Sequence, residues 1–481
     1  MATHNHHHHH HHHHQQNHGL ENSQVVVVMV PFPAQGHLNQ LLHLSRLIAS
    51  YNIPVHYVSS ATHILQAKLR IHSGNHLSDI PSVHFHDFPT PSFLSPPPNP
   101  NASIKFPSHL QPSFEASSQL REPVRNLLRE LSPKTRRIIV IHDSLMASVV
   151  QDVASIPNAE SYNFHSVSAF ALFFHRWETM GRPFEIEANI LKDLPSNEGC
   201  FTSEFIKFIS TQFDHIKISS GCLYNTCRVI ESPYLDLLAN EVTNKNNKQW
   251  ALGPFNPVTA VSHNKKSCHP CLDWLDKQPQ NSVIYVSFGT TTSLSDEQIK
   301  ELATGLERSE QKFIWVLREA DRGDVFEGAG ERKLVEVLPK GFEERVEGKG
   351  IVVREWAPQL EMLGHTSTGG FMSHCGWNSC MESITMGVAI GAWPMHSDQP
   401  KNTVLITKVL KVGVVVKDWA RRDELVDSLT IETAVKRLMG SKEGDEIRNR
   451  AVELGQEVRQ AVEEGGVSRL ELDSFISHIT R

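Results

Sequence analysis

The sequence predicts an α/β protein made of two doubly wound halves. A strand–loop–helix–strand unit lies near the N-terminus, which is how a parallel sheet of this kind begins. Short apolar runs of the type buried in parallel sheets then recur between helical patterns along most of the chain. A Pro-, Gly- and Asn-containing break at residues 253–257 precedes a second series of the same alternation. These three observations favour two facing α/β domains.

The first half starts with the apolar run Val25–Val30, which predicts a buried strand followed by a loop and by a helix from near Gln40. The stretch 114–131 predicts a helix with a kink at Pro123. Residues 88–100 are Pro-rich and predict a surface loop, and 165–249 are expected to be mostly helical and irregular. Further predicted elements are strands at 55–58 and 138–141 and a helix at 62–71.

The second half shows six apolar runs and several helical patterns. Strands are predicted at 283–288, 313–317, 351–353, 370–373, 389–392 and 412–416, and helices at 296–308, 377–386, 401–409 and from residue 445 onward. Parallel sheets bind ligands beyond the carboxyl ends of their strands. Two such sheets facing each other would therefore form a ligand cleft at the domain interface.

Composition excludes several classes of protein. With 39% hydrophobic and 21% charged residues, the chain of 481 residues has enough apolar material for real cores and is not disordered as a whole. Its net charge of −7 argues against a nucleic-acid or anionic-membrane binder. Seven cysteines, an odd number, fit a reducing compartment. No apolar run is long enough to span a bilayer and no secretory signal is visible, so we expect a cytoplasmic protein.

Two segments look chemically suggestive but are given no function. Eleven of the 30 histidines lie at His4, at 6–14 and at His18, a tract that cannot pack and is either a tag or native low complexity. Cys268 and Cys271 imitate half of a zinc site, but no second cysteine pair follows at zinc-ribbon spacing. Two cysteines in a loop before a helix is the preferred interpretation.

Common catalytic motifs are absent from the sequence. It contains no Asp-x-Asp, which a sugar-nucleotide enzyme that holds diphosphate through Mg²⁺ or Mn²⁺ would usually carry. It also lacks a Walker A sequence, a Gly-x-Gly-x-x-Gly after the first strand, His-Glu-x-x-His and Gly-x-Ser-x-Gly. The sequence therefore lacks the motifs typical of nucleotide hydrolysis, NAD-linked redox chemistry, zinc proteolysis and serine-esterase chemistry. We also expect no metal.

One segment concentrates polar and aromatic residues. The strand that ends at Ser373 is followed by His374-Cys-Gly and by a helix that opens at Trp377-Asn-Ser379. A helix N-terminus after a glycine turn offers free backbone N–H groups and a positive dipole end to a phosphate. Asn378 and Ser379 could add hydrogen bonds to that phosphate, although Asn and Ser at a helix start, taken alone, are more often helix caps.

Residues 356–399 resemble the signature box of plant secondary-product UDP-glycosyltransferases. The match includes Trp356-Ala-Pro-Gln359, His374-Cys-Gly-Trp-Asn-Ser379, Glu382 and Asp398-Gln399. The similarity extends over residues 25–481. Within this family, the stretches 36–45, 142–148, 288–292 and 315–321 are most similar to zeatin O-glucosyltransferases.

The resemblance implies a GT-B fold with two Rossmann-like doubly wound domains. We expect a disordered His-rich tail at 1–24, an N-terminal acceptor-binding domain at 25–252, a linker at 253–266, a C-terminal UDP-sugar-binding domain at 267–460, and a C-terminal helix at 461–481 that packs back on the first domain.

The resemblance also implies roles for donor-binding residues. Trp356 would stack on uracil, with Ala357 and Gln359 at the polar edge of the base, and Glu382 would accept the ribose hydroxyls. The diphosphate would be held by His374, Asn378, Ser379, Thr290 and Thr292. Trp377, Asp398 and Gln399 would surround the sugar, where a Gln accompanies glucose.

His37 is the predicted catalytic base. It follows Gly36 in the loop after the first strand, on the ligand side of the sheet. Asp143 ends another strand on the same side and could accept a hydrogen bond from Nδ1 of His37, which would leave Nε2 free to take a proton.

The expected function is that of an inverting, metal-independent, UDP-glucose-dependent O-glucosyltransferase, with zeatin as the preferred acceptor and a phenol such as a flavonoid as the alternative. A non-catalytic binder of a small hydrophobic ligand or of a UDP-sugar is the alternative of another class. UDP-xylose stays open as the donor. The acceptor walls are expected from residues 85–106 and 165–215, and the protein is expected to be a monomer with no nucleic-acid or membrane partner.

Overall fold

Two parallel sheets form the framework of the molecule. The structure is a computed structural model that describes residues 24–70, 83–241, 248–259, 269–324 and 333–481. The His-rich tail up to residue 23, the linker from residue 260 to 266 and Cys268 lie outside the described residues. The two halves are each doubly wound, as the sequence predicts.

The first sheet contains seven parallel strands in the order β3-β2-β1-β4-β5-β6-β7. Its strands are β1 (Val25–Val30), β2 (Val55–Ser60), β3 (Val83–Phe88), β4 (Arg137–Asp143), β5 (Ala159–His165), β6 (Gly221–Tyr224) and β7 (Lys248–Ala251). Successive strands are added on one side of β1 up to β3 and then on its other side from β4 onward. Open parallel sheets bind ligands at such a switch point.

The second sheet contains six parallel strands in the order β10-β9-β8-β11-β12-β13, with its switch point between β8 and β11. Its strands are β8 (Val283–Ser287), β9 (Lys312–Val316), β10 (Gly350–Val353), β11 (Thr368–Ser373), β12 (Ala389–Ala392) and β13 (Gly413–Val415). All six predicted strands are present, with small differences at their ends.

The α-helices of the first half lie at Gln35–Ala49, Ala61–Leu69, Gln111–Ala116, Arg121–Leu131, Ala169–Thr179, Ala188–Leu191, Ser203–Ile216 and Arg228–Ala239. Those of the second half lie at Pro270–Asp276, Asp296–Arg308, Leu334–Val337, Phe342–Arg345, Gln359–Leu363, Trp377–Met386, Gln399–Val404, Ser428–Gly440, Lys442–Ala461 and Val467–Thr480. A π-helical turn, Leu405–Val409, continues the helix that starts at Gln399.

The helix after β1 begins at Gln35, not near Gln40 as the sequence predicts. Its N-cap residue, Ala34, is extended and offers no side-chain cap, and Gly36 is a poor helix former, so the sequence carries no start signal there. His37 therefore lies in the first turn of a helix and not in a loop.

The predicted helix 114–131 is two helices joined by a 3₁₀ turn, Ser117–Leu120. Pro123 is the third residue of the second helix, Arg121–Leu131. Because the first-turn N–H groups of a helix have no intrahelical acceptor, proline fits there without a kink. The break precedes the proline, so the prediction of a kink at Pro123 was wrong.

Four strands of the first sheet were not predicted from the sequence. They are β3, β5, β6 and β7. β3 and β5 alternate apolar and polar residues, and β6 and β7 have four residues each. Such strands lack the continuous apolar run that marks a strand buried on both faces. The region 165–249 is thus more regular than predicted.

Apolar side chains cover both faces of the first sheet. One face of β1, with Val25, Val27 and Met29, packs against the helix Gln35–Ala49 and against the C-terminal helix. The opposite face packs against a cluster that includes Phe114 and Phe205. The sheet is therefore fixed on both sides, and its strand ends hold the loops that follow them.

The C-terminal helix Val467–Thr480 packs on the first sheet. The ring of Phe475 lies 5.1 Å from that of Trp250 and 5.4 Å from that of Tyr162. Arg136 donates to the last backbone carbonyls, of Thr480 and Arg481, at 2.8 Å each. The end of the chain is thus attached to the domain in which the chain starts.

Among the described residues, no helix is long and apolar enough to cross a membrane.

Candidate active site

A cavity of about 1040 Å³ lies between the two sheets and is lined by both halves of the chain. Its walls include residues that follow β1 and β4 in the first sheet and β8 and β11 in the second. Those are the strands on either side of the two switch points, so topology alone brings their C-terminal ends to one place.

His37 and Asp143 form a hydrogen-bonded pair at the first switch point. Nδ1 of His37 lies 2.6 Å from Oδ2 of Asp143, and the carboxyl of Asp143 is fully buried. The other oxygen of Asp143 accepts the backbone N–H of Leu145 at 2.9 Å. Because a carboxylate only accepts, the imidazole donates through Nδ1, and Nε2 is the nitrogen left for chemistry.

The His37 ring is also fixed by packing. The ring of Phe32 lies 5.0 Å from it, and the imidazole keeps 22% of its surface exposed, towards the cavity that it lines. An oriented imidazole with one free nitrogen facing a cavity can act as a general base.

The turn after β11 brings His374 against the helix Trp377–Met386. Added Cβ atoms at Gly289 and Gly376 would lie 2.7 and 2.5 Å from Nε2 of His374, so both positions require glycine. Gly289 also has φ +79°, which other residues rarely adopt. Burial lowers the pKa of His374 to about 4, so this imidazole is neutral at pH 7.

Gly376 is the N-cap residue of the helix Trp377–Met386, and no side chain caps the N-terminus of this helix. Asn378 and Ser379 are therefore not N-caps, which was the alternative to a binding role. Nδ2 of Asn378 donates instead to Oε1 of Glu382 at 3.0 Å, within the helix. The first-turn N–H groups next to the cavity make this helix end a suitable anion site.

Four of the predicted donor-binding side chains bond to each other. Nε2 of Gln359 donates to Oε2 of Glu382 at 2.8 Å and to Oγ of Ser379 at 3.1 Å. Oε1 of Gln359 accepts from the Tyr285 hydroxyl at 3.4 Å. This network holds the side chains of Gln359, Asn378, Ser379 and Glu382 in one patch of the cavity wall.

Trp356 and Ala357 lie beside that patch and line the cavity. The Arg70 guanidinium lies 4.5 Å from the centre of the Trp356 ring and covers one indole face. Arg70 also makes two hydrogen bonds, of 2.5 and 2.9 Å, to Asp321 of the other half. No role for Arg70 was predicted, because the residues around Arg70 in the sequence do not distinguish it from a surface residue at a helix end.

Trp377 and Gln399 are more constrained than the sequence suggests. Nε1 of Trp377 donates to the backbone carbonyl of Asn225 at 2.8 Å, so its one side-chain donor is used across the domain interface. Oε1 of Gln399 accepts from the backbone N–H groups of Met395 and His396 at 2.9 and 3.0 Å. Nε2 of Gln399 lies 3.4 Å from Nε2 of His396, so only its second N–H is left to bind a ligand.

Asp398 is buried at the cavity wall. Its Oδ2 accepts from Nδ2 of Asn402 at 2.8 Å, and burial raises its pKa. Asn402 in turn accepts from the Ser168 hydroxyl of the first half at 2.7 Å.

The structure places most predicted site residues around one cavity and leaves two away from its lining. Asp143 is buried behind His37, and Thr290 and Thr291 line the cavity where Thr290 and Thr292 were predicted. Of residues 85–106, Phe106 lines the cavity, while the remainder of that loop does not. The predicted residues that line the cavity are His37, Thr290, Trp356, Ala357, Gln359, His374, Trp377, Asn378, Ser379, Glu382, Asp398 and Gln399.

In the described part of the chain, no group of three or more His, Cys, Asp or Glu residues is placed to hold a metal ion. All six described cysteines, which include Cys271, are unpaired and buried.

Two family models match the chain. Residues 23–257 match the model described as "Glycosyltransferase, N-terminal domain", and residues 247–447 match the one described as "UDP-glucoronosyl and UDP-glucosyl transferase". Together the two matches include both sheets and the cavity between them.

Two similar relatives come from beans. A zeatin O-glucosyltransferase of Phaseolus lunatus is 59% identical over 95% of this chain and 98% of its own length. A zeatin O-xylosyltransferase of Phaseolus vulgaris is 56% identical over 96% of this chain and 99% of its own length. Among solved structures, a transferase from Siraitia grosvenorii in complex with UDP is 27% identical, with a TM-score of 0.73 over 95% of this chain and all of that one.

Proposed function

Because the chain belongs to the family of UDP-glucoronosyl and UDP-glucosyl transferases, we propose that it transfers glucose from UDP-glucose to the side-chain hydroxyl of zeatin. Family membership and the GT-B fold, both expected from the sequence, are confirmed. The observation that carries the proposed reaction is the His37–Asp143 pair, which faces the same cavity as the helix end at Gly376.

In this mechanism Nε2 of His37 takes the proton of the acceptor hydroxyl. The hydroxyl oxygen attacks the anomeric carbon on the face opposite UDP, the bond from that carbon to the diphosphate oxygen breaks, and UDP leaves with the electron pair. The product is a β-glucoside. Asp143 holds the imidazole in the correct tautomer and stabilises the imidazolium that forms.

The donor half of the cavity supports UDP-sugar binding without a cation. The uncapped N-terminus of the helix Trp377–Met386 and the neutral His374 offer donors to the diphosphate, aided by Asn378, Ser379 and Thr290. The free face of Trp356 would stack on uracil, a contact of about 1–3 kcal/mol. Thr292 is half-buried away from the cavity, so any role of Thr292 would be indirect.

Zeatin is proposed as the acceptor because relatives at 59% and 56% identity carry it in their names. The names of the same two relatives differ in the sugar, glucose in one and xylose in the other. We propose glucose on the basis of Gln399, and the test compares both UDP-sugars. A cytoplasmic location and a monomeric state complete the proposal, and cell fractionation and light scattering would test them.

The test is a UDP-release assay with zeatin, combined with mass spectrometry of the product. Wild-type protein should form zeatin O-glucoside and release one UDP per product. His37→Ala should lower kcat by roughly 10²–10⁴-fold, the usual worth of a positioned base. Its affinity for UDP should be unchanged, because His37 makes no proposed contact with the nucleotide.

Near-normal turnover by folded His37→Ala protein would remove His37 from this role. No UDP release with zeatin or with a panel of phenols would instead favour the non-catalytic binder.

A further inference from the structure

The cavity has a second polar region, which lies on the first sheet and not at the donor site. Strand register places His142, Asn163 and Cys222 side by side on β4, β5 and β6, and His165 beside Tyr224 in the next row. The opposite face of the same strands carries Ile141, Tyr162, Phe164 and Leu223 in the apolar core. One face of this sheet is therefore polar where a parallel sheet is normally apolar.

The walls above this face complete what we call the polar chamber, formed by Asn163, His165, Arg176, Tyr224 and Glu241. Nη1 of Arg176 donates to Oε2 of Glu241 at 3.0 Å. His165, Arg176 and Glu241 line the same continuous cavity as His37. The polar chamber is thus open to the place where an acceptor would meet the base.

Several atoms of the polar chamber are buried without a hydrogen-bond partner among the described residues. They are Oδ1 of Asn163, Oη of Tyr224 and Oε1 of Glu241. Asn163 and Tyr224 are themselves fully buried. A buried polar atom without a partner costs free energy. Of these three side chains Glu241 is the one that lines the cavity, so a ligand there would supply the missing bond at Oε1 of Glu241.

The hydrogen-bonding character of the polar chamber is mixed. Nε2 of His165 lies 3.0 Å from Nδ2 of Asn163 and 3.5 Å from Nη2 of Arg176, so donors surround it and it accepts. Burial lowers the pKa of His165 well below its usual value, which agrees with a neutral ring. Arg176 supplies donors, Glu241 and Asn163 supply acceptors, and the Tyr224 hydroxyl can do either.

From this arrangement we propose that the polar chamber binds the nitrogen heterocycle of the acceptor, with ring N–H groups on Glu241 and ring nitrogens on Arg176. The inference rests on the proposed function and deepens it. A heterocycle offers neighbouring donors and acceptors, as the polar chamber does, whereas a carbocyclic phenol ring would leave Oε1 of Glu241 without a hydrogen bond.

The helix that carries His37 also reaches the edge of the polar chamber. Gln40 lies about one helical turn beyond His37. Its Nε2 donates to the carbonyl of Ser166, the residue after His165, at 3.2 Å. One helical turn and one side chain therefore separate the catalytic imidazole from the edge of the polar chamber.

The test compares two acceptors that share the same hydroxylated side chain. One is zeatin, and the other carries that side chain on aniline, so that a phenyl ring replaces the purine. Glu241→Gln preserves shape and keeps an oxygen for Arg176, but presents an N–H₂ donor where the carboxylate accepts. We expect kcat/KM for zeatin to fall roughly 10- to 100-fold, and that for the phenyl acceptor to stay within about threefold.

Tyr224→Phe, which removes a hydroxyl that does not line the cavity, is the second variant and should leave kcat/KM for both acceptors within about threefold. Glu307→Gln is the matched control, because Glu307 pairs with Arg345 at an exposed site on the other half. UDP inhibition, measured for every variant, reports whether the donor site is folded.

Equal losses for both acceptors in Glu241→Gln, or no loss for zeatin in that variant, would overturn the proposal and assign Glu241 a structural or water-binding role. A wild-type protein that ignores zeatin but glucosylates another hydroxyl would overturn the proposed acceptor. If that acceptor is a nitrogen heterocycle and Glu241→Gln still discriminates against it, the polar chamber keeps its assignment.

Discussion

Gln399 shows how the structure narrows the role of a single side chain. As a free amide it could bridge two sugar hydroxyls, one as donor and one as acceptor. Its oxygen, however, already accepts two backbone N–H groups, those of Met395 and His396. Gln399 thus shapes the loop before it, and toward a sugar it can only donate.

A substitution can separate these two functions. Gln399→Glu keeps an oxygen for the two backbone N–H groups and replaces the Nε2 donor by an acceptor. We expect kcat/KM for UDP-glucose to fall roughly 5- to 50-fold through the lost donor. Inhibition by free UDP, which lacks the sugar, should stay within about twofold. Weakened UDP inhibition of similar size would assign Gln399 to the nucleotide site.

At the scale of an element, the helix Trp377–Met386 and the turn before it work as a unit. The helix has no side-chain cap, and His374 is pressed between Gly289 and Gly376, where added Cβ atoms would approach its Nε2 to 2.7 and 2.5 Å. The position of His374 at the helix end therefore depends on the absence of two side chains.

Gly376→Ala tests this dependence. Gly376 has φ −57° and ψ 141°, which alanine also adopts, so the new methyl group acts only through its clash with His374. We expect Kd for UDP to rise roughly 5- to 100-fold, as for other overpacked sites. Gly440→Ala is the control, since its nearest neighbour is the mobile end of the Gln311 side chain at 3.3 Å. Unchanged UDP affinity by calorimetry would show that His374 does not hold the nucleotide.

At the scale of the whole molecule, the two halves are tied together around the cavity. Asp321 makes one polar contact between the halves, because its carboxylate accepts hydrogen bonds from Arg70 of the first half. It also accepts one, at 2.8 Å, from Arg318 of the second half. Arg70 also covers Trp356, so the closure of the cleft and the proposed base-stacking surface share one side chain.

Asp321→Asn should therefore destabilise the protein. The side chains of Arg70 and Asp321 are only 4% and 7% exposed, so the substitution removes a buried carboxylate that pairs with the Arg70 guanidinium, at a cost of about 3–5 kcal/mol. A clear drop in Tm by calorimetry is expected. Glu432→Gln, which removes an exposed pair with Lys436, should change Tm little. A similar Tm for both variants would contradict a structural role for the Arg70–Asp321 pair.

Metal removal also tests the molecule as a whole. We expect full activity in excess EDTA, because neutral donors and a helix end surround the proposed diphosphate site where carboxylates would be needed for a cation. The His-rich tract should be deleted first, since it binds metal indiscriminately. Activity that EDTA abolishes and Mg²⁺ or Mn²⁺ restores would show that the diphosphate site is wrongly assigned.

Much of the fold and of the candidate site follows from local sequence. Continuous apolar runs predict β1, β4 and the whole second sheet, because strands buried on both faces need such runs. The signature residues from Trp356 to Gln399 predict the donor wall, because their chemistry and spacing are local.

Local sequence patterns do not show which distant residues contact each other in the fold. β5 was missed because it alternates polar and apolar residues, and β6 because it has only four residues. Arg70 and Asp321 meet across 251 positions, and the polar chamber assembles from two strands, a helix and the segment that follows another helix. The family, the two-sheet architecture and the segment proposed to bind the donor all follow from local sequence patterns. Which donors and acceptors of the site already have hydrogen-bond partners is visible only in the folded structure. The reason is that folding brings those partners together from distant parts of the chain.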